Sequence, residues 1–490
     1  MKTFNDYLNE SGEIGYVKKV VNVIAYVDGL PSAHPGEVVV FEGGQLGHVT
    51  SLKQDLVEVL TFTKKSIRTG EKVTRTGRLI TVPVGTELLG RIIDPFGFPI
   101  DEVSRSIKTT EIRPIEVQPK GIMSRRILKR QFDTGVGLVD LMVPIGQGQR
   151  ELVIGDRKTG KTNFLLKTIV SGVKQNNICI YAAIGKKKID IKKAEDYLKS
   201  KGVMDKVIIV ASTSQDPSGG IFMTPYTAMT IAEYFRDRGQ NTVIILDDLL
   251  THAKFYREIS LLANKFPGRN SYPGDIFYAH ARLMERAGNF LIGNSEVAIT
   301  CFPVVESSQG DFSGYIQTNV MSMTDGHIYF DNDLFSEGRR PAINPFLSVT
   351  RVGRQTQLTS KKSINRELLS FMTLFEKMRN YSHFGAELTD SIKVTLDTGN
   401  RLLTIFEQDP ENVIPGNVQA LFLTLAWSGN LKETDSVKIM DYRNRLLNLY
   451  SMDETYRKYV DTSIGTAQSF NELLQMVQQN IDKFFPTLKQ

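Results

Sequence analysis

The fold of this chain is decided by the stretch Gly155-Asp156-Arg157-Lys158-Thr159-Gly160-Lys161-Thr162. It fits the pattern GxxxxGK[ST] and lies between an apolar strand, Glu151–Ile154, and a helical run, Asn163–Val173. Glycines let such a loop wrap closely around phosphate oxygens, and the helix N-terminus behind it favours anions. The sequence therefore predicts a nucleotide-binding loop in which Lys161 reaches the β- and γ-phosphates and the Thr162 hydroxyl holds Mg²⁺.

A second stretch, Val243-Ile244-Ile245-Leu246-Asp247-Asp248, supports this prediction. It predicts a buried strand that ends in two carboxylates. In phosphate-loop proteins the strand beside the loop delivers an aspartate to the Mg²⁺ shell. We therefore predict that Asp247, the first carboxylate after the apolar run, binds the metal and that Asp248 makes a local hydrogen bond.

Hydrophobic patterns divide the chain into three predicted domains. Residues 1–75 hold short Val-rich segments, which predict a small β-barrel. Residues 76–357 alternate apolar runs with helical segments, which is typical of a parallel sheet covered by helices. Residues 358–490 carry almost only helical patterns. The predicted class is a multidomain α/β protein with an N-terminal small β-barrel, a central phosphate-loop nucleotide-binding domain containing a parallel sheet, and a C-terminal helical bundle.

Local signals place individual elements within these domains. Val20–Val27, Gly36–Phe41 and Leu56–Phe62 are predicted strands of the barrel. The clearest helix is the last one, which follows a capping box of Ser469 and Glu472, presents an apolar face from Phe470 to Phe485 and ends at Pro486.

The composition is that of an ordinary globular protein, with 41% hydrophobic and 23% charged residues. A net charge of +6 over 490 residues is too dilute to indicate nucleic acid or an anionic membrane surface as a partner. No apolar run is long enough to span a membrane, and the N-terminus has no apolar signal segment. Cys179 and Cys301 lie in apolar runs, so we expect two buried, reduced thiols in a cytoplasmic protein.

Further motifs occur along the chain in a fixed order. They include Thr76-Gly77-Arg78, Leu89-Gly90-Arg91-Ile92-Ile93-Asp94, Pro144-Ile145-Gly146-Gln147-Gly148-Gln149-Arg150, Glu233-Tyr234-Phe235-Arg236-Asp237, Thr324-Asp325-Gly326 and Ser348-Val349-Thr350-Arg351-Val352-Gly353. Together with the phosphate loop, these motifs resemble the alpha subunit of the catalytic head of F-type rotary ATP synthases. The resemblance implies a RecA-like fold for the central domain, a hexameric head and a bound ATP or ADP with Mg²⁺.

One position separates alpha from its catalytic sister subunit, beta. In beta the strand after the phosphate loop ends in a glutamate that orients the attacking water, whereas here Tyr181-Ala182-Ala183-Ile184-Gly185 is followed by Lys186. Lysine cannot act as a carboxylate base. We therefore expect this chain's own site to be non-catalytic. Two readings of Lys186 stay open: a contact near the γ-phosphate, or a solvated side chain in the run Lys186-Lys187-Lys188.

The resemblance also assigns residues at the two ends of the nucleotide. The family's arginine finger aligns with Arg351, which would enter the neighbouring beta subunit's site and neutralise charge on the γ-phosphate. Around the adenine, Arg340 and Pro341 match packing residues, and Phe335 is nearby. Gln408 aligns with one of two glutamines that contact the base, and the other falls on Pro410.

The implied partners are beta-type subunits, in three alternating pairs with this chain, and a gamma-type central shaft. The chain itself would have no direct membrane insertion and would lie at the inner face of the cell membrane through the complex. Family members usually begin with a longer helical segment that docks the stator, and Met1–Ser11 leave little room for it. The stator is therefore left open, and a repurposed rotary motor with other accessory proteins is an alternative.

Two further functions compete with this one. A catalytic homohexamer of the export or RNA-translocating type would need the glutamate that Lys186 replaces. The small net charge also does not indicate a surface that binds nucleic acid. The other alternative is a structural protein that has lost nucleotide binding. The presence of Lys161, Thr162 and Asp247 argues against it.

Overall fold

The chain divides into two compact units in the computed structural model, which describes residues 3–63, 65–102, 107–109, 111–383, 389–409, 412–431 and 434–486. The first unit comprises Met1–Arg126, Asn176–Ser307 and Asp311–Thr324. The second comprises Ile127–Gln175, Ser308–Gly310 and Asp325–Gln490.

Strands β1 to β7 follow one another, strands and helices alternate broadly from β12 to β19, and only helices follow β19 in the described residues. The strands are β1 (Ile14–Val21), β2 (Ile24–Asp28), β3 (Glu37–Phe41), β4 (Leu46–Leu52), β5 (Val57–Thr61), β6 (Lys72–Leu79), β7 (Thr81–Val84), β8 (Ile92–Ile93), β9 (Glu111–Pro114), β10 (Gln131–Phe132), β11 (Ile145–Gly146), β12 (Glu151–Gly155), β13 (Ile178–Lys186), β14 (Val207–Thr213), β15 (Thr242–Asp247), β16 (Gly288–Ile292), β17 (Ser295–Glu306), β18 (Gly326–Phe330) and β19 (Val349–Thr350). The α-helices are α1 (Phe4–Ser11), α2 (Gly137–Met142), α3 (Lys161–Lys174), α4 (Lys188–Ser200), α5 (Ser218–Asp237), α6 (Leu249–Leu262), α7 (Ile276–Met284), α8 (Tyr315–Met323), α9 (Asn332–Ser336), α10 (Gly353–Thr356), α11 (Thr359–His383), α12 (Asp390–Phe406), α13 (Gly416–Trp427), α14 (Ser436–Met452), α15 (Glu454–Thr466), α16 (Phe470–Gln479) and α17 (Ile481–Phe484).

The first unit opens with the predicted barrel. Its strands close in the order β1-β2-β5-β4-β3-β6, and every pairing is antiparallel. The interior is filled by alternating apolar side chains such as Val39, Phe41 and Val59, all fully buried. The predicted strand Val20–Val27 is two strands, because Asn22 has a φ of 54° and turns the chain between β1 and β2.

The second part of the first unit is a parallel sheet. Its strands follow the order β17-β15-β13-β14-β8, and β16 pairs antiparallel with β17. The middle strands are buried along their whole apolar length, which is why their sequences are nearly continuous runs of Val, Ile and Ala. Cys179 on β13 and Cys301 on β17 are buried thiols, as predicted.

The second unit combines a small sheet with helices. Strand β12 pairs parallel with β18, β18 pairs antiparallel with β19, and β10 pairs with β11. Helices α11 to α17 follow. The Ser469 hydroxyl accepts a hydrogen bond from the Glu472 N–H and caps α16, but the predicted single helix is interrupted at Asn480 between α16 and α17. Within the described residues, no helix is both long and apolar enough to cross a membrane.

The predicted domain boundaries can be placed on these elements. The boundary at residue 75 falls inside β6, which continues the barrel to Leu79. The boundary at residues 357 and 358 falls between α10 and α11. The three-domain division itself stays a prediction, since the compact units divide the chain differently.

Helix α5 contributes a buried network of charges to the first unit. Arg286 is 1% exposed and donates to Glu233 at 2.5 Å and to the Thr230 hydroxyl at 2.8 Å. Arg236 donates to the other oxygen of Glu233 at 3.2 Å. One carboxylate therefore lies between two buried guanidinium groups, and Arg236 also pairs with Asp237 at 2.8 Å.

We expect Glu233→Ala to lower the local free energy of opening of α5 by about 3–5 kcal/mol, because it leaves the buried Arg286 without the counter-ion with which it is paired. Hydrogen–deuterium exchange of residues 218–237 measures this quantity. Glu102→Ala is the control, since the Glu102 side chain is 92% exposed and should change stability by less than about 0.5 kcal/mol. Equal effects of the two variants would contradict this role of Glu233.

Candidate functional site

The phosphate loop joins β12 to α3 in the second unit. Every residue of β12 is buried, and α3 begins at Lys161. Gly155 is required by a close approach, since a Cβ there would lie 2.5 Å from the carbonyl oxygen of Phe330 on β18. Gly160 precedes the helix with a φ of 98°, a conformation that a side chain would strain. Packing fixes the first glycine of the motif and backbone geometry fixes the second.

Hydrogen bonds within the loop and from Gly310 fix the conformation of the loop. Lys161 Nζ donates to the carbonyl oxygens of Gly155 at 2.8 Å and Asp156 at 2.5 Å. The Thr159 hydroxyl donates to the Asp156 carbonyl at 2.7 Å, and the Gly310 N–H donates to the Asp156 carboxylate at 3.0 Å. Lys161 is only 8% exposed, so its ammonium group is fixed within the loop.

The other loop residues face outward. Arg157, Lys158 and Thr162 are exposed, and Lys158 adopts a φ of 64° that helps the chain to curl. The first N–H groups of α3 have no partner within the helix and carry the positive end of its dipole. This combination of an open helix start and cationic side chains is suited to bind a phosphate group.

A second polar cluster lies at the carboxyl ends of β13 and β15 in the first unit. The two strands are parallel neighbours with Ala183 opposite Asp247, so Lys186 at the end of β13 comes close to the end of β15. Lys186 Nζ lies 2.7 Å from Oδ1 of Asp247 and 3.5 Å from Oδ2 of Asp248. The Tyr181 hydroxyl donates to Oδ2 of Asp247 at 2.8 Å. Both oxygens of Asp247 therefore have a donor.

Asp248 has the local role that the sequence predicted. The Asp248 carboxylate accepts hydrogen bonds from the N–H of Thr251 at 2.6 Å and from the Thr251 hydroxyl at 3.1 Å. These bonds cap the N-terminus of α6. A residue that caps a helix in this way satisfies one of the N–H groups that the first turn leaves free.

Burial and charge oppose each other in this cluster. Burial by itself lowers the pKa of Lys186, but the carboxylates of Asp247 and Asp248 outweigh it and hold that pKa above its ordinary value. Burial raises the pKa of Asp248, and Lys186 offsets part of that rise. Burial and the neighbouring Asp247 raise the pKa of Tyr181 far above its ordinary value, so its hydroxyl stays a donor. The ammonium group is therefore charged throughout the neutral range.

The residues predicted around the adenine come together in the second unit. The Arg340 guanidinium lies 3.7 Å from the centre of the Phe335 ring and donates to the Phe335 carbonyl at 2.9 Å. The Arg340–Pro341 peptide bond is cis, and both residues line a cavity of about 650 Å³. The Gln408 N–H donates to the Arg340 carbonyl at 2.8 Å. The Pro410 position lies outside the described residues.

The side chain of Gln408 is already occupied by backbone groups. Its Nε2 donates to the carbonyls of Gly135 at 2.7 Å and Asn412 at 2.6 Å, and its Oε1 accepts from the Gly137 N–H at 3.3 Å. The residue is 4% exposed. Contact of this side chain with an adenine stays a prediction, and these bonds oppose it.

Arg351 follows β19 on a well-held segment of the second unit. Its N–H donates to the Asp325 carbonyl at 3.0 Å, and the Asp325 carboxylate is in turn paired with Arg150 at 2.8 Å. The preceding Thr350 hydroxyl donates to the Pro144 carbonyl at 2.8 Å. The Arg351 side chain is exposed and makes no hydrogen bond or ion pair with the part of the chain that the structure describes. The main chain at Arg351 is therefore held in place, whereas its guanidinium is exposed and can contact another molecule.

Comparisons with known proteins agree with this arrangement of motifs. The family model described as "ATP synthase alpha/beta family, nucleotide-binding domain" matches residues 135–350, and the model "ATP synthase alpha/beta chain, C terminal domain" matches residues 357–484. The chain is 38% identical over 450 residues to "ATP synthase subunit alpha" of Sulfurovum sp. (strain NBC37-1), which covers 92% of this chain and 89% of that protein. This chain belongs to the ATP synthase alpha/beta family. The protein of the same description from Staphylococcus aureus (strain Newman) is also 38% identical, over 89% of this chain and 86% of its own length.

The predicted resemblance to the F-type alpha subunit and the predicted fold class are both confirmed by these matches. As a member of the ATP synthase alpha/beta family, the chain is a subunit of an ATP synthase or ATPase complex, and its nucleotide-binding domain supports binding of ATP or ADP. The roles of individual site residues stay predictions.

Sequence reasoning missed Tyr181 in this ATP synthase family member. The signal was present, because a tyrosine in the middle of an aliphatic buried strand needs a partner for its hydroxyl. The nearest carboxylate at the end of a neighbouring parallel strand is Asp247. What the sequence does not give is the order of the strands in the sheet. That order brings Asp247 close to both Tyr181 and Lys186, so the pairing of Lys186 with Asp247 was missed as well.

We expect Gln408→Leu to lower thermal stability, because two buried backbone groups, those of Gly135 and Gly137, lose their partner at a cost of about 1–3 kcal/mol each. We expect the ratio of ATP to GTP affinity to stay the same. Differential scanning calorimetry and nucleotide titration of the same variant measure the two effects. A changed base preference without a loss of stability would show instead that Gln408 contacts the adenine.

Proposed function

We propose that this chain is the non-catalytic, nucleotide-binding alpha-type subunit of a rotary F-type ATPase head. Its phosphate loop holds ATP or ADP, with Lys161 at the β- and γ-phosphates. Its Arg351 acts on the nucleotide of a neighbouring beta-type subunit, where hydrolysis or synthesis is coupled to rotation. The support is the family membership together with the side-chain arrangement at the ends of β13 and β19.

One observation carries the non-catalytic assignment, namely the residue at the carboxyl end of β13. Transfer of a phosphoryl group to water needs a side chain that orients the attacking water. Lys186 ends this strand, and its ammonium group is in an ion pair with Asp247 at 2.7 Å. A protonated lysine has no lone pair with which to accept a hydrogen bond or a proton. Nucleotide bound to this chain is therefore retained and not turned over.

The finger role of Arg351 is supported by the contrast between its main chain and its side chain. The main chain is anchored through Asp325 and Thr350, whereas the exposed guanidinium makes no hydrogen bond or ion pair with the described residues. A guanidinium that enters a site from a neighbouring subunit stabilises the charge on the transferring phosphoryl group. Such a group accelerates phosphoryl transfer by about 10³–10⁵.

The predicted magnesium ligands differ in how well they fit the ion. The Thr162 hydroxyl is exposed at the start of α3 and can join Mg²⁺ that arrives with the nucleotide. Asp247 fits poorly, since Tyr181 and Lys186 already engage both of its oxygens. Mg²⁺ prefers oxygen ligands in a near-octahedral shell and does not share them readily with an ammonium group. We therefore propose that Thr162 contacts Mg²⁺ and that Asp247 is not a ligand of the metal.

In the proposed complex, three copies of this chain alternate with three beta-type subunits around a gamma-type shaft. The head lies at the inner, cytoplasmic face of the cell membrane through its other subunits, and neither nucleic acid nor membrane insertion of this chain is involved. The stator proteins are left open, so that both an ordinary ATP synthase and a repurposed rotary motor agree with this composition.

We expect Arg351→Ala to lower the ATPase rate of the assembled complex by about 10³-fold or more, because the charge on the γ-phosphate loses its stabilising partner. Steady-state hydrolysis by the purified complex measures this rate. Arg354→Ala is the matched control, since Arg354 is an exposed arginine three positions further along and has no assigned role. A rate that survives Arg351→Ala would refute the finger assignment.

We expect native mass spectrometry of the complex, isolated through a tag on this chain, to give three copies of it, three of a beta-type chain and one shaft. The physical reason is that an exposed finger and a non-catalytic site are useful only beside a different, catalytic neighbour. A homohexamer of this chain would contradict the proposal and favour the catalytic alternative. Accessory proteins in the same spectrum distinguish an ordinary synthase from a repurposed motor.

A further inference from the structure

A cavity of about 690 Å³ lies within the first unit, whereas the phosphate loop belongs to the second. It is lined by residues at the carboxyl ends of two parallel strands: Asp94 directly follows β8, and Thr213 is the last residue of β14. Crevices outside the carboxyl ends of parallel strands are common ligand sites in α/β sheets. The volume also falls in the range of small-molecule sites, about 300–1,000 Å³. Both its position and its size are therefore suited to a ligand.

Aromatic side chains form part of the cavity wall. The rings of Phe62 and Phe96 have centres 4.9 Å apart. Phe98 and Ile100 also line the cavity, and they are 46% and 49% exposed. Large apolar side chains that stay in contact with water gain free energy when a ligand covers them. The wall is therefore suited to an apolar group with a flat ring.

Carboxylates outnumber lysines among the described residues that line the cavity. The carboxylates are those of Asp94, Asp101, Glu102, Glu195 and Asp216, and the lysines are Lys188 and Lys192. Arg91 pairs with Asp101 at 2.6 Å, and Lys192 pairs with Glu195 at 3.1 Å. Asp94, by contrast, makes no ion pair with the described part of the chain. Its carboxylate is therefore available to a cationic ligand.

Asp94 leaves one of its two oxygens open to such a ligand. Oδ1 accepts hydrogen bonds from the N–H groups of Phe96 at 2.9 Å and Phe98 at 2.8 Å. Oδ2 makes no hydrogen bond with any residue that the structure describes. Burial raises the pKa of Asp94, and the nearby carboxylate of Asp216 adds to this rise. A cationic donor at Oδ2 would favour the ionised form and satisfy the second oxygen.

Two neutral groups of the lining also lack a hydrogen-bond partner within the described ranges. Thr213 is 7% exposed, and its hydroxyl is buried without a partner. The side-chain oxygen of Gln45 is likewise buried and unpaired. Both residues line the cavity. Because buried polar groups are ordinarily hydrogen-bonded, unpaired ones in a cavity wall indicate a ligand with polar atoms.

We propose that this cavity binds a small organic cation, whose ammonium group pairs with Asp94 and whose apolar body packs on the phenylalanine rings of the wall. An anion would be repelled by the carboxylates of the lining. A metal ion fits less well, since the described residues contain no group of three His, Cys, Asp or Glu side chains that could hold one. This site lies in the first unit alone and is independent of the proposed nucleotide binding.

The test compares two probes of similar shape and different charge, phenethylammonium and 2-phenylethanol. Each is titrated into the full-length chain and followed by ligand-observed NMR. We expect phenethylammonium to bind about tenfold or more tightly than 2-phenylethanol, the size of one charge-assisted contact. Asp94→Asn should remove this preference, so that the two probes bind alike. The asparagine keeps an oxygen that can accept from the N–H groups of Phe96 and Phe98, so the loop is retained.

Two further variants control for charge and for location. Asp196→Asn removes a carboxylate of α4 that is 60% exposed and is not among the residues that line the cavity, so it should keep the preference. Phe98→Ala removes part of the wall and should weaken both probes by about threefold or more without changing their ratio. Thermal unfolding of each variant shows whether it is folded.

A wild-type chain that binds the two probes equally overturns the proposal, and this arm needs no variant to fold. So does a wild-type chain that shows no saturable binding of phenethylammonium up to about 10 mM, the weakest affinity expected for so small a ligand. An Asp94→Asn chain that keeps the preference also overturns it, because the cation would then bind elsewhere. If Asp94→Asn does not fold, Phe98→Ala decides: unchanged affinities for both probes would place their binding outside this cavity and overturn the proposal.

Discussion

Parallel pairing of β13 with β15 is the constraint on which the chemistry of the first unit depends. Both strands are buried on both faces, so their backbone groups must be satisfied by their neighbours and their register cannot slip without loss of burial. That register sets Ala183 opposite Asp247. It therefore determines that a lysine at the end of one strand meets an aspartate at the end of the other. If the register between β13 and β15 shifted by one residue, Lys186 would no longer lie beside Asp247.

The same unit shows how this protein tolerates buried charge. In the Glu233 network, one carboxylate serves two guanidinium groups, and at the strand ends one ammonium group serves two carboxylates. Hydrogen bonds from neutral groups, such as the hydroxyls of Thr230 and Tyr181, complete the shell of each cluster. Buried ions that are hydrogen-bonded in this way lose little by leaving water, whereas a single unpaired one would be costly. Removal of any one partner therefore affects the whole cluster.

The general architecture could be predicted from the sequence because periodicity and the phosphate loop are local signals. The details that escaped prediction depend on contacts between distant residues. Asn22 and Asn480 interrupt elements whose apolar patterns run straight through them, since a turn needs only one residue in a suitable conformation. Gln408 aligns with an adenine contact, yet backbone groups near residues 135 and 412 take up its amide. Tyr181 and Lys186 lie close to Asp247 because β13 and β15 are neighbours in the sheet, and no local sequence pattern encodes the order of strands.

The anchoring of Arg351 has a consequence for the entropy of assembly. Fixing a mobile backbone costs about 1–2 kcal/mol for each residue, so a disordered loop that carried the arginine would consume much of the binding free energy of a subunit interface. Here Asp325 and Thr350 hold the segment before any partner arrives. Ordering an arginine side chain alone costs about 2 kcal/mol at most. A subunit built in this way offers its neighbour a cation whose position is largely decided during its own folding.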